Sequence, residues 1–146
     1  MPIQSLDRDV EKRLSDREVR YTRGRRAVVA ALKGADGPMS PAELHETIGP
    51  DVPLSSLYRT LTVLEETGVI MPHFGIRGIT RYELAEWLTG HHHHLVCVVC
   101  GTVDDIDVPQ RYEEEVRRLV DKIAATASFV PSGHVLEIEG RCSRCQ

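Results

Sequence analysis

The chain has 146 residues, of which 41% are hydrophobic, and its formal net charge at pH 7 is −4. That length suffices for one ordinary domain or two small ones, and small domains usually need a staple because their cores are thin. The sequence has no apolar run of about 18 residues and no apolar segment behind a basic N-terminus, so we expect a cytoplasmic protein without a membrane span or a signal peptide.

Helical segments fill the first part of the chain. Residues 6–19 have a helix-compatible charge pattern, and Thr22 is placed to cap the helix that follows it. The sequence Ser40-Pro41-Ala42-Glu43 is a capping box with proline at the first helical position, so it predicts a short helix. A further helix is expected over residues 55–67, before Gly68.

After these helices the spacing of apolar residues changes from helix-like to strand-like, which predicts a β-hairpin. Residues 69–71 and 80–84 are strand-like, and the loop Gly75-Ile76-Arg77-Gly78 lies between them. Three helices followed by a hairpin are the outline of a winged helix-turn-helix, a fold that binds DNA.

The segment over residues 55–67 has one apolar and one polar face. On a helical wheel three leucines share one side, and hydrogen-bonding or charged residues cluster on the other. Docking in the DNA major groove requires such an exposed polar face, although many ordinary surface helices share the pattern. The leucines are Leu57, Leu61 and Leu64, and the polar residues are Ser55, Tyr58, Arg59, Thr62 and Glu66.

Basic residues are concentrated upstream of this helix. Six of them lie from Arg17 to Lys33, where Glu18 is the single acidic residue. A local basic strip can bind phosphate even on an acidic protein, and the alternative interpretation is a solvated helix face. Together with the polar helix face, the strip supports DNA binding. Its candidate DNA contacts are Arg20, Arg23 and Arg25.

The character of the sequence changes near its middle, which predicts two domains of α+β class. Residues 1–88 would form the winged-helix DNA-binding domain, and residues 89–146 a small α/β metal-binding domain. In the second domain, strands at about 95–107 and 128–140 flank a helix at 109–125. One face of this helix is lined by Tyr112, Val116, Leu119, Val120 and Ile123.

The four cysteines form two Cys-x-x-Cys pairs, Cys97 with Cys100 and Cys142 with Cys145. In a reducing compartment this usage favours a metal site over disulfides. Two thiolate pairs on separate turns can close a tetrahedral zinc site, which would tie the C-terminus to the start of the domain as a structural staple. The alternatives are a redox motif, which lacks a βαβ context here, and a thiol switch that releases zinc on oxidation.

Four consecutive histidines, His91 to His94, precede a strand-forming segment. Because side chains alternate along an extended chain, His92 and His94 face one way and the other two face the opposite way. One tract can therefore supply two metal sites. Imidazole suits zinc, iron, nickel, manganese and copper, so the ligand type alone leaves the metal open. An engineered affinity tag is the alternative, but tags are usually terminal.

In combination, these motifs resemble the ferric uptake regulator family. Members of that family are homodimeric bacterial repressors that bind palindromic operators when loaded with iron, zinc, manganese or nickel, or that sense peroxide through bound iron. The resemblance spans about residues 18 to 145. It is carried by Thr22-Arg23-Gly24-Arg25, Leu57-Tyr58-Arg59-Thr60-Leu61, Tyr82-Glu83-Leu84, the segment HHHHLVCVVCG, and His134 followed by Gly140-Arg141-Cys142-x-x-Cys145.

The resemblance implies a role for each motif. The chain would be a non-enzymatic repressor whose second domain dimerises, with double-stranded operator DNA and a second copy as partners and with no small-molecule substrate. Tyr58 and Arg59 would contact DNA, and Arg20 would approach the minor groove. The structural zinc ligands would be Cys97, Cys100, Cys142 and Cys145.

For the regulatory site, the resemblance implies Glu83, His92 and His94. Iron-type members commonly add a histidine just before the Ser-Ala-Glu-x-Leu stretch, where this chain has Pro38 or Met39. Some zinc-sensing members instead use a residue of the first wing strand, so we take His73 as the fourth ligand, although the cysteine that such members carry near Glu83 is missing. A second site would use His91, His93, Glu113 and His134.

The cofactors expected from this resemblance are a structural Zn²⁺ and a second divalent metal, with Zn²⁺ or Fe²⁺ favoured over Mn²⁺ or Ni²⁺. Three alternatives remain at this point. Histidines and a carboxylate could form a catalytic metal centre, although no nucleophile or acid-base pair accompanies them. The chain could instead be a zinc-stapled DNA-binding module without metal sensing, or a peroxide sensor of the same family.

Overall fold

The computed structural model describes the backbone of residues 3–146 and the side chains of residues 5–146. Its contacts divide the chain into two compact units, and the division falls between His91 and His92. No helix among the described residues is long and apolar enough to cross a membrane. The first unit contains α1 (Ile3–Ser15), α2 (Arg23–Lys33), α3 (Pro41–Ile48), α4 (Leu54–Glu66), β1 (Ile70–Phe74), β2 (Thr80–Leu84) and α5 (Glu86–Thr89), and the second contains β3 (His93–Cys97), β4 (Val103–Ile106), α6 (Gln110–Thr126) and β5 (Glu137–Gly140).

Helices α2 and α3 begin where their caps predict. The Thr22 side chain accepts a hydrogen bond from the Arg25 backbone N–H at 3.4 Å, and the capping box of Ser40 and Glu43 is formed at the start of α3. The first helix begins before the predicted residue 6 and ends at Ser15 instead of residue 19, because the chain turns over residues 16–18, where Glu18 has a φ of +58°. Leucines and valines from α1 to α4 form the core of this unit.

The predicted hairpin of β1 and β2, called the wing below, is present and is hydrogen-bonded to the helical part of the unit. Strands β1 and β2 pair antiparallel, and an isolated bridge joins Met39 to Tyr82 through two backbone hydrogen bonds of 2.9 and 2.8 Å. Next to Tyr82, the Arg81 guanidinium donates to both carboxylate oxygens of Glu43, at 2.8 and 2.7 Å. The same glutamate therefore caps α3 and holds the wing, which fixes the wing against the helix-turn-helix.

The second unit is a three-stranded sheet with one long helix. Strand β3 lies in the middle, antiparallel to β4 and parallel to β5. The single strand expected at 95–107 is wrong: residues 98–102 form a turn between β3 and β4. In this turn Gly101, with φ of +77°, donates to the Cys97 carbonyl at 2.9 Å. The second expected strand, at 128–140, is reduced to the four residues of β5.

Helix α6 matches the predicted 109–125 to within one residue, but its apolar face is largely exposed. Tyr112, Leu119 and Ile123 are 45%, 57% and 61% exposed, and Ala124 is the one buried residue of the helix. Exposed apolar residues also occur on the segment after the helix and on the sheet. Large apolar side chains exposed in this number favour an interaction site over an ordinary solvated surface. These further residues are Leu95, Phe129, Val130, Val135 and Ile138.

The link between α3 and the wing predicts a pH-dependent contribution to stability. Burial would raise the pKa of Glu43, but hydrogen bonds from Arg81 and Ser40 hold it below its ordinary value of 4.5. A carboxyl whose pKa is lowered in the folded state stabilises the fold above its unfolded pKa, and that contribution is lost as the pH falls through the folded pKa. Because the Glu43 side chain is 46% exposed, the contribution is small.

We expect Glu43→Gln to lower the free energy of unfolding by about 0.5–1.5 kcal/mol at pH 7. The difference from wild type should disappear as the pH is lowered below about 4.5, as measured by urea unfolding at each pH. Glu46→Gln, an exposed position on the same helix, is the control and should change little. A difference that is constant from about pH 7 to about pH 3 would contradict this account.

Candidate metal centres and nucleic-acid interface

Helix α4 presents the predicted polar face to solvent. Its three leucines are at most 1% exposed, so the predicted packing of this helix is confirmed. Tyr58 is 52% exposed and carries its ring on the outer side. The Thr62 hydroxyl donates to the Tyr58 carbonyl at 3.1 Å, which leaves the threonine methyl group available for contact. Also exposed on this face are Ser55, Arg59 and Glu66.

The basic strip is used in two ways. Some of its arginines hold the first unit together: Arg26 pairs with Glu11 at 3.0 Å and stacks on the Tyr21 ring, and Arg17 donates to the Thr67 carbonyl. Others remain at the surface. Arg20 and Arg23 are exposed, and Arg25 is half-buried and donates to the Arg20 carbonyl. The surface charge of the strip is therefore smaller than the sequence count of six suggests.

All four cysteines lie together in the second unit. Their sulfur atoms are within 4.8 Å of one another, and the Cys100 and Cys142 sulfurs are 3.8 Å apart. Cys97 ends β3 and Cys100 lies in the turn after it, whereas the other pair follows β5. A tetrahedron with zinc–sulfur bonds of about 2.3 Å has sulfur–sulfur edges of about 3.8 Å. The donor type and the spacing fit a structural zinc ion.

The pKa values of the thiols differ, as expected for sulfur atoms that lie close together. Backbone N–H groups of Cys100 and Cys142 donate to the Cys97 sulfur and lower the pKa of that thiol to about 5. Hydrogen bonding to the Cys142 sulfur and burial raise the pKa of Cys145 to about 12. Because zinc binds thiolates, the surroundings of Cys97 already favour the charge state that a metal requires.

A second group of ligand atoms joins β3, α6 and the loop before β5. Glu113 lies between two histidines: its Oε2 is 2.7 Å from His93 Nε2, and its Oε1 is 3.0 Å from His134 Nε2. The two imidazole rings stack with centroids 5.2 Å apart. The structure thus brings together His93, Glu113 and His134, the expected second-site residues that belong to the second unit. His91, the last residue of the first unit, places its Nδ1 3.0 Å from Glu86 Oε1.

A third group lies on the other face of β3. His92 and His94 place their Nε2 atoms 3.6 and 3.3 Å from Asp105 Oδ1, and their rings meet edge to face at 5.1 Å. The predicted alternation of the histidine tract is confirmed. Sequence reasoning missed Asp105 because it read β3 and β4 as one strand. In the observed hairpin His94 is directly opposite Asp105.

The remaining two expected ligands, His73 and Glu83, lie on the wing. In the register of β1 and β2, His73 is opposite Arg81 and Met71 is opposite Glu83, so these residues share one face of the hairpin. Both candidate ligands are half-buried. The cationic Arg81 beside His73 is an unfavourable neighbour for a metal ion, although its charge is partly neutralised by Glu43.

The sequence matches the model of the Ferric uptake regulator family over residues 16–139. It is 36% identical over 98 residues to the ferric uptake regulation protein of Neisseria meningitidis, a match that covers 67% of this chain and 63% of that relative. To the ferric uptake regulation protein of Bacillus subtilis it is 32% identical over 146 residues, covering 96% of this chain and 93% of the relative. The predicted resemblance is confirmed.

Solved structures agree on the fold. The ferric uptake regulator of Helicobacter pylori, described as having three functional metal-binding sites, superposes with a TM-score of 0.80 at 22% identity, over 99% of this chain and 94% of that one. A zinc uptake regulator in complex with zinc and DNA gives a TM-score of 0.59 at 25% identity, over 99% and 95% of the two chains. The α+β class predicted from the sequence is therefore confirmed.

The cysteine group predicts one bound zinc ion per chain, a number that metal analysis can measure. We expect Cys142→Ser to remove one tightly bound zinc ion per chain, measured by metal analysis after dialysis against a weak chelator. Residues 92–146 should then exchange their amide hydrogens faster, while residues 3–91 keep their protection, because the two units have separate cores. Ser143→Ala, inside the same pair, is the control. Retention of one zinc ion per chain by the cysteine variant would show that these thiols are not the ligands.

Proposed function

The chain belongs to the ferric uptake regulator family, and on this premise we propose that it is a metal-dependent transcriptional repressor that binds palindromic operator DNA as a homodimer. Proteins of this family regulate transcription and are not enzymes. The proposal rests on two clusters of imidazole and carboxylate side chains, which lie on opposite faces of β3. The four thiols form a third cluster in the same unit. A DNA-binding module without metal sensing has no use for two such groups.

The regulatory site is the group that contains Asp105. His92 and His94 would each supply a nitrogen and Asp105 an oxygen, and we propose that Glu83 and His73 of the wing complete the set. Nitrogen and oxygen donors of this kind fit Zn²⁺ and Fe²⁺, which we favour, and also Mn²⁺ and Ni²⁺. With Asp105 added, four donors are available even without His73.

The second site would use His93, Glu113 and His134, with His91 as the fourth ligand. In the structure, hydrogen-bond-length contacts of 2.7 and 3.0 Å already join the glutamate to two of the imidazoles. A half-buried carboxylate between two imidazoles is a donor arrangement that a divalent cation stabilises, because the cation replaces shared protons. The thiol group would hold the structural zinc ion.

We propose that metal binding shifts the population of conformations toward those that bind DNA. A bound divalent cation would supply a common centre for ligands from both units of the chain. Glu83 and His73 belong to the wing, whereas His92 and His94 follow the division between the units, so shared ligation would restrict how the DNA-binding unit is oriented. Two copies of α4 would then keep the separation that two half-sites about one helical turn apart require.

The exposed face of α6 supports a homodimer. Tyr112, Leu119 and Ile123 form an apolar stripe at helical spacing, and β5 is an edge strand whose outer face is exposed. Stable interfaces commonly bury about 800 Å² per partner, with aromatic and aliphatic residues at the centre. A second copy of the same surface would cover this stripe, and its two-fold symmetry would match a palindromic operator.

DNA contact would come from the polar face of α4. Arg59 can donate two hydrogen bonds to guanine or bind phosphate, and Tyr58 and Thr62 can contact phosphate or a thymine methyl group. Ser55, near the start of α4, would reach the phosphate backbone. Among the basic residues, the exposed Arg20 and Arg23 are the candidates for further contacts, together with Arg25.

The defining experiment is a DNA-binding titration. Chelator-treated protein that retains its structural zinc would be titrated with Zn²⁺, Fe²⁺, Mn²⁺ and Ni²⁺ at buffered free concentrations, with a duplex selected from a random pool by the metal-loaded protein as the probe. We expect one metal to restore tight binding. If binding ignores every metal, the sensing proposal fails and a zinc-stapled DNA-binding module remains.

Helix α4, the proposed reading helix, gives a prediction for DNA affinity. Arg59→Ala should weaken binding to the selected duplex by about tenfold to a hundredfold, because a bidentate arginine–guanine contact contributes about 1–3 kcal/mol. Fluorescence anisotropy at fixed salt measures this change. Lys122→Ala, an exposed cation on α6, is the control. Equal affinities of the Arg59 variant and wild type would remove α4 as the reading element.

The regulatory site predicts different effects for two adjacent aspartates. Asp105→Asn should raise the free-metal concentration needed for DNA binding by at least about tenfold, because the variant lacks an anionic oxygen ligand. Asp104→Asn is the matched control, since Asp104 pairs with Leu95 and lies on the other face of β4. His73→Ala tests the fourth ligand in the same assay. An unchanged metal response in the Asp105 variant would exclude that carboxylate from the site.

A further inference from the structure

The single tryptophan of the chain, Trp87, connects α5 to the end of the reading helix. Its indole N–H donates to the Gly68 carbonyl at 2.7 Å, and Gly68 follows α4 by two residues. The guanidinium carbon of Arg13 lies 4.1 Å from the centre of the indole ring. The position of the indole is therefore set by a hydrogen bond and by a cation above its face.

The same arginine also binds the end of α4 directly. Arg13 donates to the Thr67 carbonyl at 3.4 Å, and Arg17 donates to the same oxygen. Thr67 is the C-cap of α4, where the helix dipole attracts cations. Arg13 of α1, Arg17 of the turn after α1 and the indole of α5 thus hold the C-terminal end of the helix that carries Arg59.

The other end of α5 leads to a proposed metal ligand. Gly90, with φ of +88°, donates its N–H to the Glu86 carbonyl at 2.7 Å and ends this short helix. The Glu86 carboxylate lies 3.0 Å from His91 Nδ1, so the Nε2 atom is the one directed away from this carboxylate. A carboxylate on one ring nitrogen orients a histidine that ligates through the other.

These contacts contribute little to the core. The side chains of Glu86 and His91 are 60% and 36% exposed, and Trp87 is 42% exposed. Exposed ion pairs usually add almost nothing to stability, and the buried core of the first unit lies elsewhere. Leu88 and the hydrogen bond from the Ala85 N–H to the Val69 carbonyl anchor α5 on the first unit, and Trp87 adds a side-chain link from α5 to the end of α4.

We propose that Glu86 and Trp87 are positioning residues that transmit the occupancy of the site at His91 to the reading helix. The proposal rests on the function proposed above. Glu86 fixes the His91 imidazole, and Trp87, one residue further along α5, holds the Gly68 carbonyl. A displacement of His91 on ligation is thereby carried through one turn of helix to the end of α4.

Trp87→Phe tests the coupling, because phenylalanine keeps a ring for Arg13 but loses the N–H donor. Affinity for the selected duplex would be measured with and without Zn²⁺, with the structural zinc retained. We expect the metal-free affinity and the zinc affinity without DNA to change by less than about twofold, and the gain in DNA affinity on adding zinc to fall by at least about fivefold.

Glu86→Gln is a second variant that does not disturb the aromatic ring, and Glu115→Gln, an exposed glutamate of α6, is its control. Trp87 fluorescence gives a readout independent of DNA. Zn²⁺ has a filled d shell, so an emission change on its addition reports the surroundings of the indole. We expect such a change in wild type and in the Glu115 variant, and a change smaller by at least about half in Glu86→Gln.

The outcomes separate the two proposals. If wild type binds DNA equally with and without every metal, the proposed function fails, and the coupling fails with it. If wild type responds to zinc and Trp87→Phe keeps the full response, the coupling alone is wrong. Unchanged Trp87 emission in zinc-responsive wild type would also overturn it.

Discussion

The two-residue period of β3 determines which donor atoms can meet. Its alternation sends His93 to one face of the sheet, toward Glu113 of α6, and His94 to the other face, opposite Asp105 of β4. The start of this short strand thus divides neighbouring histidines between two groups of ligands. A shift of register by one residue would exchange the faces and separate every imidazole from its carboxylate.

The same strand ends in the thiol group, which shows why the second unit depends on a staple. Few of its side chains are buried: Val96, Cys97, Val103 and Ala124 are the buried apolar residues, and His93 and His94 are buried polar ones. A core of this size offers little hydrophobic free energy against the entropy of the chain. A zinc ion bound by the four thiols would cross-link the turn after β3 to the residues after β5, and would so supply stability that packing does not.

Local chemistry allowed much of this structure to be predicted. Thr22 and Ser40 act through neighbouring backbone groups, so these two caps could be predicted from sequence, as could the apolar face of α4. The Asp105 contact could not, since it depends on the register of two strands whose separating turn was overlooked. Glu113 was placed through the family resemblance, because a helix pattern does not say which carboxylate faces a sheet.

If the proposed homodimer covers the exposed stripe on α6, the assembly of this protein depends on its concentration. If the native second unit is completed only when a second copy covers Tyr112, Leu119 and Ile123, its apparent stability follows mass action and rises with the concentration of chains. The amount of this protein that a cell maintains would then set how much of it is assembled. Dilution, and not only loss of metal, would be enough to release DNA.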